Sequence, residues 1–390
     1  MSKTKKLVPK RRFKKFDLSW DVTNLGEISD IVRGASPRPI QDKKWFDSNS
    51  EIGWLRISDV TEQNGRIYHI KQRLSKAGQE KTRVLNEPHL LLSIAATVGK
   101  PVINYVKTGV HDGFLIFQNL KSDIEFMFQY LDMYGVKWKK YGQPGSQLNL
   151  NSDIVKNHNV ELPHNEEQTQ IGEFFKKLDT LIQTQQKKLD KTKTLKSAYL
   201  AEMFPKDDES KPKLRFKGMK DNWMHTKLKD VIERELKGKT KATMLGNKNI
   251  YLDANYLNGG EINYVNASKD VTLNDVLILW DGSLAGTVYH EFEGALGSTL
   301  KAYKPKESGQ FLYQFLKKNQ QNIFNNYRTP NIPHVIKTFT EEFRITIPHI
   351  KEQTKIGNFF KLLDQKIALE QRKLEKLKKI KQAYLNEMFV

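Results

Sequence analysis

Residues 163–204 read PHNEEQTQIGEFFKKLDTLIQTQQKKLDKTKTLKSAYLAEMF, and residues 348–389 read PHIKEQTKIGNFFKLLDQKIALEQRKLEKLKKIKQAYLNEMF. The two segments align without a gap at a shift of 185 residues, and more than half of their positions are identical. A duplication of this length indicates that one structural unit is used twice. Such internal repeats decide the architecture before any other sequence feature.

Each copy is predicted to form one long helix. Its apolar residues recur at steps of three and four, which is typical of a coiled-coil seam. They are Ile171, Phe174, Phe175, Leu178, Ile182, Leu189, Leu195, Tyr199 and Met203 in the first copy, and Ile356, Phe360, Leu363, Ile367, Leu374, Leu377, Ile380, Tyr384 and Met388 in the second. About 33 helical residues predict a rod of roughly 50 Å. Asn165 with Gln168, or His164 with Glu167, is expected to form a capping box at the start of the first helix, and Pro205 ends it.

A helix with a single apolar seam needs a partner in water. The two seams are nearly identical, so we expect the copies to pair antiparallel within one chain. Packing of each helix on its own neighbouring domain, or dimerisation through the seams, are the alternatives.

Composition limits the class of protein. The 390 residues are enough for two or three domains, and no cysteine is present, which excludes disulfides, thiolate zinc sites and thiol catalysis. No apolar run approaches the 18 or so residues that a membrane span needs, and no apolar segment follows the basic amino terminus, so a cytoplasmic protein is expected. The net charge of +20 favours a polyanionic partner, nucleic acid first, with a membrane surface or the ribosome as alternatives.

A short motif precedes each variable stretch. The first copy of the motif consists of Pro9, Arg12, Phe13, Trp20 and Leu25. The second copy has the same residue types at the same spacing: Pro212, Arg215, Phe216, Trp223 and Leu228. The repeating unit is therefore short motif, variable domain and long helix. We expect Trp20 and Trp223 to be buried anchors of each domain and not base-stacking residues.

The variable stretches differ in sequence but share an outline. Strands are predicted at 90–94, 101–105, 276–280 and 287–289, amphipathic helices at 126–131 and 311–316, and closing strands at 158–163 and 342–348. The predicted fold class is α+β: two mixed α/β domains, a pair of long antiparallel helices and a pseudo-twofold internal repeat. The predicted division is 1–162, 163–204, 205–347 and 348–390.

Four motifs resemble those of one known family. They are PKLRF (212–216) with Trp223, DGSLAG (281–286), LNLNSDIVK (148–156), and the helix start with LP, EQ, IG, FF and LD that begins at residue 162. They are similar to the specificity subunit of type I restriction-modification systems, and the resemblance covers essentially the whole chain.

The resemblance implies a noncatalytic DNA-binding role. The variable stretches would be target recognition domains that each recognise half of an asymmetric, bipartite sequence in double-stranded DNA. The long helices would dock two methyltransferase subunits that act on adenine N6, and restriction subunits would join them. S-adenosylmethionine, ATP and Mg²⁺ would belong to those partners, and this chain would bind no cofactor.

The sequence departs from the family pattern in three places. His164 and His349 stand where a hydroxyl residue is usual before the helix. The second copy has TPNIPH (329–334) in place of LNLNSDIVK, and the first has AATVG (95–99) in place of DGSLAG. We expect these loops to contact DNA differently.

Candidate DNA-binding residues combine cations for phosphates with amides for base edges. In the first domain they are Arg33, Arg38, Lys43, Lys44, Arg56, Lys137, Lys139, Lys140, Tyr141, Gln143, Ser146, Gln147 and Asn149. In the second they are Lys237, Lys239, Lys241, Lys248, Asn322, Asn325, Asn326, Tyr327, Arg328 and Asn331. Any single lysine is as compatible with simple solvation, and Tyr141 and Tyr327 with packing. The basic run 372–381 is expected to be a solvated face or to meet an acidic partner.

Sequence motifs for catalysis and metal binding are absent. There is no NPPY or DPPY segment, no P-loop and no HExxH. A stand-alone regulator of a bipartite operator and a basic scaffold for acidic proteins are the alternatives, and neighbouring methyltransferase and helicase-nuclease genes would argue against both.

Overall fold

The computed structural model describes residues 7–94, 98–135, 137–138, 150–206 and 209–390. The chain forms two compact units: unit 1 comprises residues 1–185 and 373–390, and unit 2 comprises residues 186–372. Each unit therefore contains one variable stretch, the start of the long helix that follows it and the end of the other long helix.

Unit 1 is built from short strands and helices around one larger sheet. Its strands are β1 (Asp21–Asn24), β2 (Asp30–Arg33), β3 (Gly53–Leu55), β4 (Arg66–Ile67), β5 (Arg83–Leu85), β6 (Leu90–Ser93), β7 (Pro101–Asn104), β8 (Thr108–Val110), β9 (Phe114–Gln118) and β10 (Asn159–Leu162). Its helices are α1 (Leu25–Ile28), α2 (Ile57–Glu62), α3 (Lys76–Glu80), α4 (Ile124–Tyr134) and α5 (Ser152–Lys156). The long helix α6 (Asn165–Met203) follows.

Unit 2 repeats this plan. Its strands are β11 (Met224–Lys227), β12 (Ile232–Lys237), β13 (Leu245–Leu252), β14 (Tyr264–Val265), β15 (Val276–Leu279), β16 (Val288–Tyr289), β17 (Ala295–Leu296), β18 (Leu300–Pro305) and β19 (Arg344–Ile347). Its helices are α7 (Leu228–Val231), α8 (Ala254–Leu257), α9 (Gly309–Lys318), α10 (Gln320–Asn326) and α11 (Phe339–Glu342). The second long helix is α12 (Ile350–Met388).

The main sheets of the two units share the order of four strands, and the sheet of unit 1 has a fifth strand, β4. Unit 1 has β2-β9-β6-β7-β4, and unit 2 has β12-β18-β15-β16. In both units the first strand also pairs antiparallel with the last, β1 with β10 and β11 with β19. The predicted α+β class with an internal repeat is confirmed, as are the predicted strands and amphipathic helices within one to three residues at their ends.

The core of each unit lies between the sheet and the helix that follows it. In unit 1, Phe126 and Leu131 of α4 pack with Leu90 and Phe117 of the sheet, and all four are fully buried. Continuous apolar strands of this kind are typical of sheets covered by helices. Trp20 is also buried, as is Trp223 in unit 2, so the prediction that both are domain anchors is confirmed.

The long helices pair antiparallel within each unit. In unit 1, the rings of Phe174 and Tyr384 lie 5.1 Å apart. In unit 2, the rings of Tyr199 and Phe359 lie 5.0 Å apart. Intrachain pairing is thus confirmed in both units, and each helix has 39 residues, more than the predicted 33 or so.

The seam is more polar than the sequence predicts. Leu195 is 43% exposed, whereas Thr192 and Glu370 are buried. Leu195 lies about 120° around the helix from Leu189, because successive residues turn by about 100°. The prediction that Leu195 belongs to the seam is therefore wrong.

Neither predicted capping box forms at the start of α6. The His164 carbonyl accepts the backbone N–H groups of Glu167 and Gln168, so Asn165 is already the first helical residue. The Gln168 amide instead donates to the Pro163 carbonyl at 2.7 Å. Gln353 donates to the Pro348 carbonyl in the second copy at 3.0 Å.

The arginine of each short motif anchors the helix start. Arg12 donates two hydrogen bonds of 2.7 Å to the Glu167 carboxylate, and Arg215 donates two of 2.9 and 2.6 Å to Glu352. Both carboxylates are buried. Bidentate pairs of this kind fix geometry as well as charge, which explains why the motif and the helix recur together.

The junction between domain and helices in unit 1 is a network of ion pairs, in which Asp132 also pairs with Lys100 and Asp179 with Arg66. The Lys381 ammonium of α12 lies 2.7 Å from a carboxylate oxygen of Asp179 in α6 and 3.6 Å from one of Asp132 in α4. One cation is thus shared by two anions from two other helices. The predicted solvated basic run 372–381 is exposed at most of its lysines, but Lys381 belongs to this junction.

The matching junction in unit 2 carries an excess of positive charge. Lys196 pairs with Asp364 at 2.5 Å, as Lys381 pairs with Asp179. The shift of 185 residues places Lys317 where unit 1 has Asp132. Burial, followed by the charge of Lys196, lowers the pKa of Lys317. Two lysines therefore share one carboxylate.

We expect Lys317→Asp to stabilise unit 2 by about 1 kcal/mol, because it exchanges a half-buried repulsion for the ion pair that unit 1 already has. Urea unfolding of the full-length protein measures this change. The converse change is Asp132→Lys, which should destabilise unit 1 by more than this, because it also breaks the 2.6 Å ion pair of Asp132 with Lys100. A destabilising Lys317→Asp would contradict the charge-excess explanation.

Candidate nucleic-acid interface

The main sheet of each unit ends in a loop cluster that carries predicted DNA-binding residues. β2 ends at Arg33 and β12 ends at Lys237, and these two strands hold the same place in their sheets. β9 pairs antiparallel with β2, and β18 pairs antiparallel with β12. The turns that lead into β9 and β18 therefore lie at this same end of each sheet. The equivalent ends of the two sheets thus present different side chains.

In unit 1 the cluster is organised around Asp112. Its carboxylate accepts hydrogen bonds from Arg38 at 2.7 Å and from the Ser36 hydroxyl at 2.9 Å, and its carbonyl accepts one from Arg33 at 2.6 Å. The loop passes so close to the turn that a Cβ on Gly34 would lie 2.2 Å from the His111 carbonyl oxygen. Only glycine fits there, so this turn holds both arginines in place.

The charge of Asp112 persists in this cluster. Partial burial alone would raise the pKa of its carboxyl, but the Ser36 hydrogen bond, the charge that His111 carries when protonated and the charge of Arg38 outweigh burial and hold the pKa below its usual value. Burial lowers the pKa of His111. Neutral histidine and ionised aspartate therefore coexist near pH 7, and the two arginines keep a net positive charge.

Two further arginines approach the same turn. Leu55 is the last residue of β3 and pairs in parallel with Val110, the last residue of β8. The next residues along the chain, Arg56 and His111, therefore leave the two strands at the same end. Arg83 is exposed and donates to the Arg33 carbonyl at 2.8 Å. Arg83 was not among the predicted residues, because it lies 50 residues from Arg33 and no motif surrounds it.

Other predicted residues of the first domain lie apart from this turn. Lys43 and Lys44 are exposed on a 3-10 turn, where Asp42 caps the Lys44 N–H and Lys44 lies over the Trp45 ring. Lys137 is exposed beyond α4, with its ammonium 4.9 Å from the centroid of the Tyr134 ring. The remaining predictions lie outside the described residues: Lys139, Lys140, Tyr141, Gln143, Ser146, Gln147 and Asn149.

In unit 2 the loop 281–286 takes the organising role. Lys237 forms an ion pair of 2.8 Å with Asp281. The Gly282 N–H donates to the Pro333 carbonyl at 2.9 Å, and Arg328 donates to the Ser283 carbonyl at 3.3 Å. This loop therefore brings together residues that are 91 positions apart, Lys237 and Arg328. Asn331 is exposed on the adjoining loop.

The predicted amides of α10 are exposed and bonded to one another. Asn326 donates to Asn322 at 2.7 Å, and Gln321 donates to Asn325 at 2.9 Å, each pair one helical turn apart. Tyr327 differs from them, since its ring packs 5.3 Å from Phe339 and is half-buried. The ring of Tyr327 therefore has the packing role that the sequence offered as the alternative to DNA contact.

Lys239, Lys241 and Lys248 are exposed on the segment between β12 and the middle of β13. Thr240 donates to the Leu296 carbonyl at 3.1 Å and accepts from Ser298 at 3.0 Å. These bonds attach the start of the segment to the turn before β18.

Across the described ranges, no group of three or more histidine, aspartate or glutamate side chains is placed to hold a metal ion. None of the helices in the same ranges is long and apolar enough to cross a membrane. The clusters at the sheet ends consist of cations, amides and backbone turns, which suit binding to an anionic surface.

Comparisons with known proteins agree with this arrangement. A curated relative, the type I restriction enzyme MjaVIII specificity subunit of Methanocaldococcus jannaschii, is 28% identical over 180 residues. The match spans 43% of this chain and 42% of the relative. The crystal structure of a type I restriction-modification S subunit from M. genitalium superposes with a TM-score of 0.70 at 16% identity, covering 98% of this chain and 99% of that one, and shows the same fold.

A family model matches the chain twice. Residues 18–194 and 220–379 both match the type I restriction modification DNA specificity domain. The two matches contain the two main sheets, their loop clusters and most of both long helices. The chain therefore belongs to the type I restriction-modification DNA specificity family.

Proposed function

We propose that this chain recognises an asymmetric, bipartite sequence in double-stranded DNA and directs partner subunits to it. The observation that supports this most is that the two sheets share the order of four strands and carry different polar loops at equivalent ends. A common scaffold with different loops suits two half-sites of different sequence, because loops on a rigid frame carry recognition.

Phosphate contacts supply affinity in this proposal, and base-edge contacts supply sequence. In unit 1 the positive charge comes from four arginine side chains, those of Arg33, Arg38, Arg56 and Arg83. The planar, forked guanidinium group of arginine is best suited to guanine and phosphate oxygens. In unit 2 the cations come from Lys237 and Arg328, and the amides from α10. Amides suit adenine edges.

The partners in this proposal are two methyltransferase subunits that modify adenine N6, and restriction subunits. The long helices are their docking elements, and the predicted division at 162, 204 and 347 separates recognition from docking. S-adenosylmethionine, ATP and Mg²⁺ act in those partners. This chain itself is noncatalytic and supplies the target sequence.

A genome-wide map of N6-methyladenine tests this function in source cells with the gene intact and deleted. We expect a split motif with methylated adenine in both halves, and complete loss of methylation at that motif on deletion. An unchanged map, together with a chain that co-purifies with no methyltransferase subunit, would favour a stand-alone regulator or a basic scaffold instead.

A further inference from the structure

A two-stranded ribbon of unit 2 projects into solvent. It consists of residues 241–250 and 261–265, which contain the start of β13 and all of β14. All side chains from Lys241 to Lys248 are exposed, and so are those from Glu261 to Tyr264. A strand that packs on a core buries alternate residues. Here consecutive side chains of 241–248 and 261–264 are exposed on both faces, and only the base of the ribbon is buried, at Val265.

The ribbon exposes large apolar side chains. Leu245 is 78% exposed, Ile262 53%, Tyr264 48% and Met244 45%. Scattered single examples are normal on protein surfaces, but a group on one element indicates a binding surface. The core of unit 2 leaves about half or more of each of these side chains in solvent, so a partner is the better explanation for the group.

The charge around the ribbon indicates the kind of partner. Lys239, Lys241 and Lys248 are exposed along it, and within the described part of unit 2 none of them forms a salt bridge. The ribbon itself carries one acidic residue, Glu261. Unpaired lysines beside apolar and amide side chains complement a polyanion that also offers base edges.

The ribbon is held in its shape by its own hydrogen bonds. Asn249 donates to the Ala267 carbonyl at 2.7 Å, and the Asn266 N–H donates to the Met244 carbonyl at 2.9 Å. A Cβ on Gly246 would lie 2.1 Å from the Asn266 side-chain oxygen. Glycine at this position therefore leaves room for the Asn266 side chain, and the exposed side chains are presented on a hydrogen-bonded backbone.

The ribbon starts at the candidate interface. Ser298 donates to the Thr240 carbonyl at 3.0 Å, and the next residue, Thr299, accepts the Asp281 N–H at 3.2 Å. The base of the ribbon and the loop 281–286 thus share one turn. A duplex held by Lys237 and Arg328 would lie next to the ribbon.

We propose that the ribbon enters the major groove of the half-site that unit 2 recognises. Leu245 and Tyr264 contact base edges there, Asn247 hydrogen-bonds a base, and the three lysines contact flanking phosphates. The major groove admits a two-stranded ribbon, and it exposes the thymine methyl group and the adenine edge that apolar and amide side chains recognise. This inference rests on the proposed function and adds the element that determines specificity in unit 2.

The test combines protein and DNA changes. The double variant Leu245→Ser with Tyr264→Ser is compared with the matched control Leu273→Ser, which changes a side chain of similar exposure outside the ribbon. Each full-length variant replaces the native gene in source cells, and its methyladenine motif is mapped. We expect the ribbon variant to relax one half of the motif only, and the control to leave both halves unchanged.

Binding of modified duplexes then identifies the groove. The complex that co-purifies with the full-length chain is titrated with duplexes that contain the recognised motif. Three modified duplexes are compared with the natural one: uracil replaces thymine in the first, 7-deazaguanine replaces guanine in the second, and inosine replaces guanine in the third. The first two changes alter only the major groove, and the third removes a minor-groove amino group. We expect at least one major-groove change in the unit 2 half to weaken native binding about 5-fold or more, and the ribbon variant to lose this sensitivity.

The outcomes separate the inference from the proposed function. A native chain that yields no split motif overturns the proposed function. A clear native motif that the ribbon variant leaves unchanged overturns the inference alone. The inference is also overturned if inosine weakens DNA binding and the two major-groove changes do not. It is overturned as well if the ribbon variant loses a co-purifying subunit while its methylation motif stays intact.

Discussion

Replacing residues 22–160 with residues 225–345 of the same chain is expected to give a methylation motif in which both halves carry the sequence that unit 2 recognises. Under the proposed function each unit supplies one half, so the half recognised by unit 1 should disappear entirely. The other half should remain. A genome-wide N6-methyladenine map of cells that carry the edited gene measures both effects at once.

The structure explains why such an exchange should fold. The first and last strands of each domain pair antiparallel, Asp21 with Leu162 and Met224 with Ile347. Both junctions therefore fall in a strand pair that the two units share. Trp20, which anchors the domain, lies outside the exchanged segment and stays in place.

The exchange also places a lysine where the native chain has an aspartate. The incoming α9 would place Lys317 beside Lys381, where the native chain has Asp132. We therefore expect the hybrid to be more stable when it also carries Lys317→Asp. The reciprocal hybrid, with residues 22–160 in place of 225–345, is the control and should produce the other half twice. A native motif in either hybrid would refute the assignment of one half to each unit.

Much of the fold is predictable because periodicity reports which side of an element is buried. The runs at 90–94 and 276–280 form the buried strands β6 and β15, and the steps of three and four in α6 and α12 form a helix pair. The periodicity of apolar residues does not predict that a polar side chain is buried among them. Thr192 and Glu370 are such residues.

The candidate interface is less predictable because loops collect residues from distant positions. Arg33 and Arg38 lie in one segment and were predicted, whereas Arg83 joins them only through the pairing of β5 with β8. Tyr327 lies among amides in the sequence, but its ring packs on Phe339. A single sequence does not show which neighbours a folded loop acquires, so local composition alone misplaces such residues.

We expect Arg66→Ala to be the most destabilising single change, with a loss of about 3–5 kcal/mol. Arg66 is buried, lies over the Phe128 ring, and donates to Glu125 at 2.7 Å and to Asp179 at 2.8 Å. It therefore joins the domain, through β4 and α4, to the long helix α6. The substitution leaves two buried carboxylates without this cation and opens a cavity beside Phe128.

The loss should depend on pH with a definite sign. Burial alone would raise the pKa of Glu125 and Asp179, but the charge of Arg66, and of Lys381 for Asp179, outweighs burial and lowers both pKa values. Carboxyls with lowered pKa stabilise the fold above their unfolded pKa values and lose that contribution as pH falls. Without Arg66, protonation relieves the buried charge instead. The difference between native and variant chains should therefore keep its full size from pH 7 down to about pH 5 and shrink as pH falls below about 4, the unfolded pKa range of these carboxyls.

Unit 2 suggests the control for this experiment, because Gln310 stands where unit 1 has Glu125. Arg66→Met combined with Glu125→Gln removes one cation and one anion together, so it should cost less than the sum of the two single changes. Hydrogen exchange of β6 and β9 amides follows unit 1, and exchange of α9 amides in unit 2 serves as the internal reference. A loss below about 1 kcal/mol at pH 7, or one that is still unchanged at about pH 3, would contradict the charge network as the link between domain and helix.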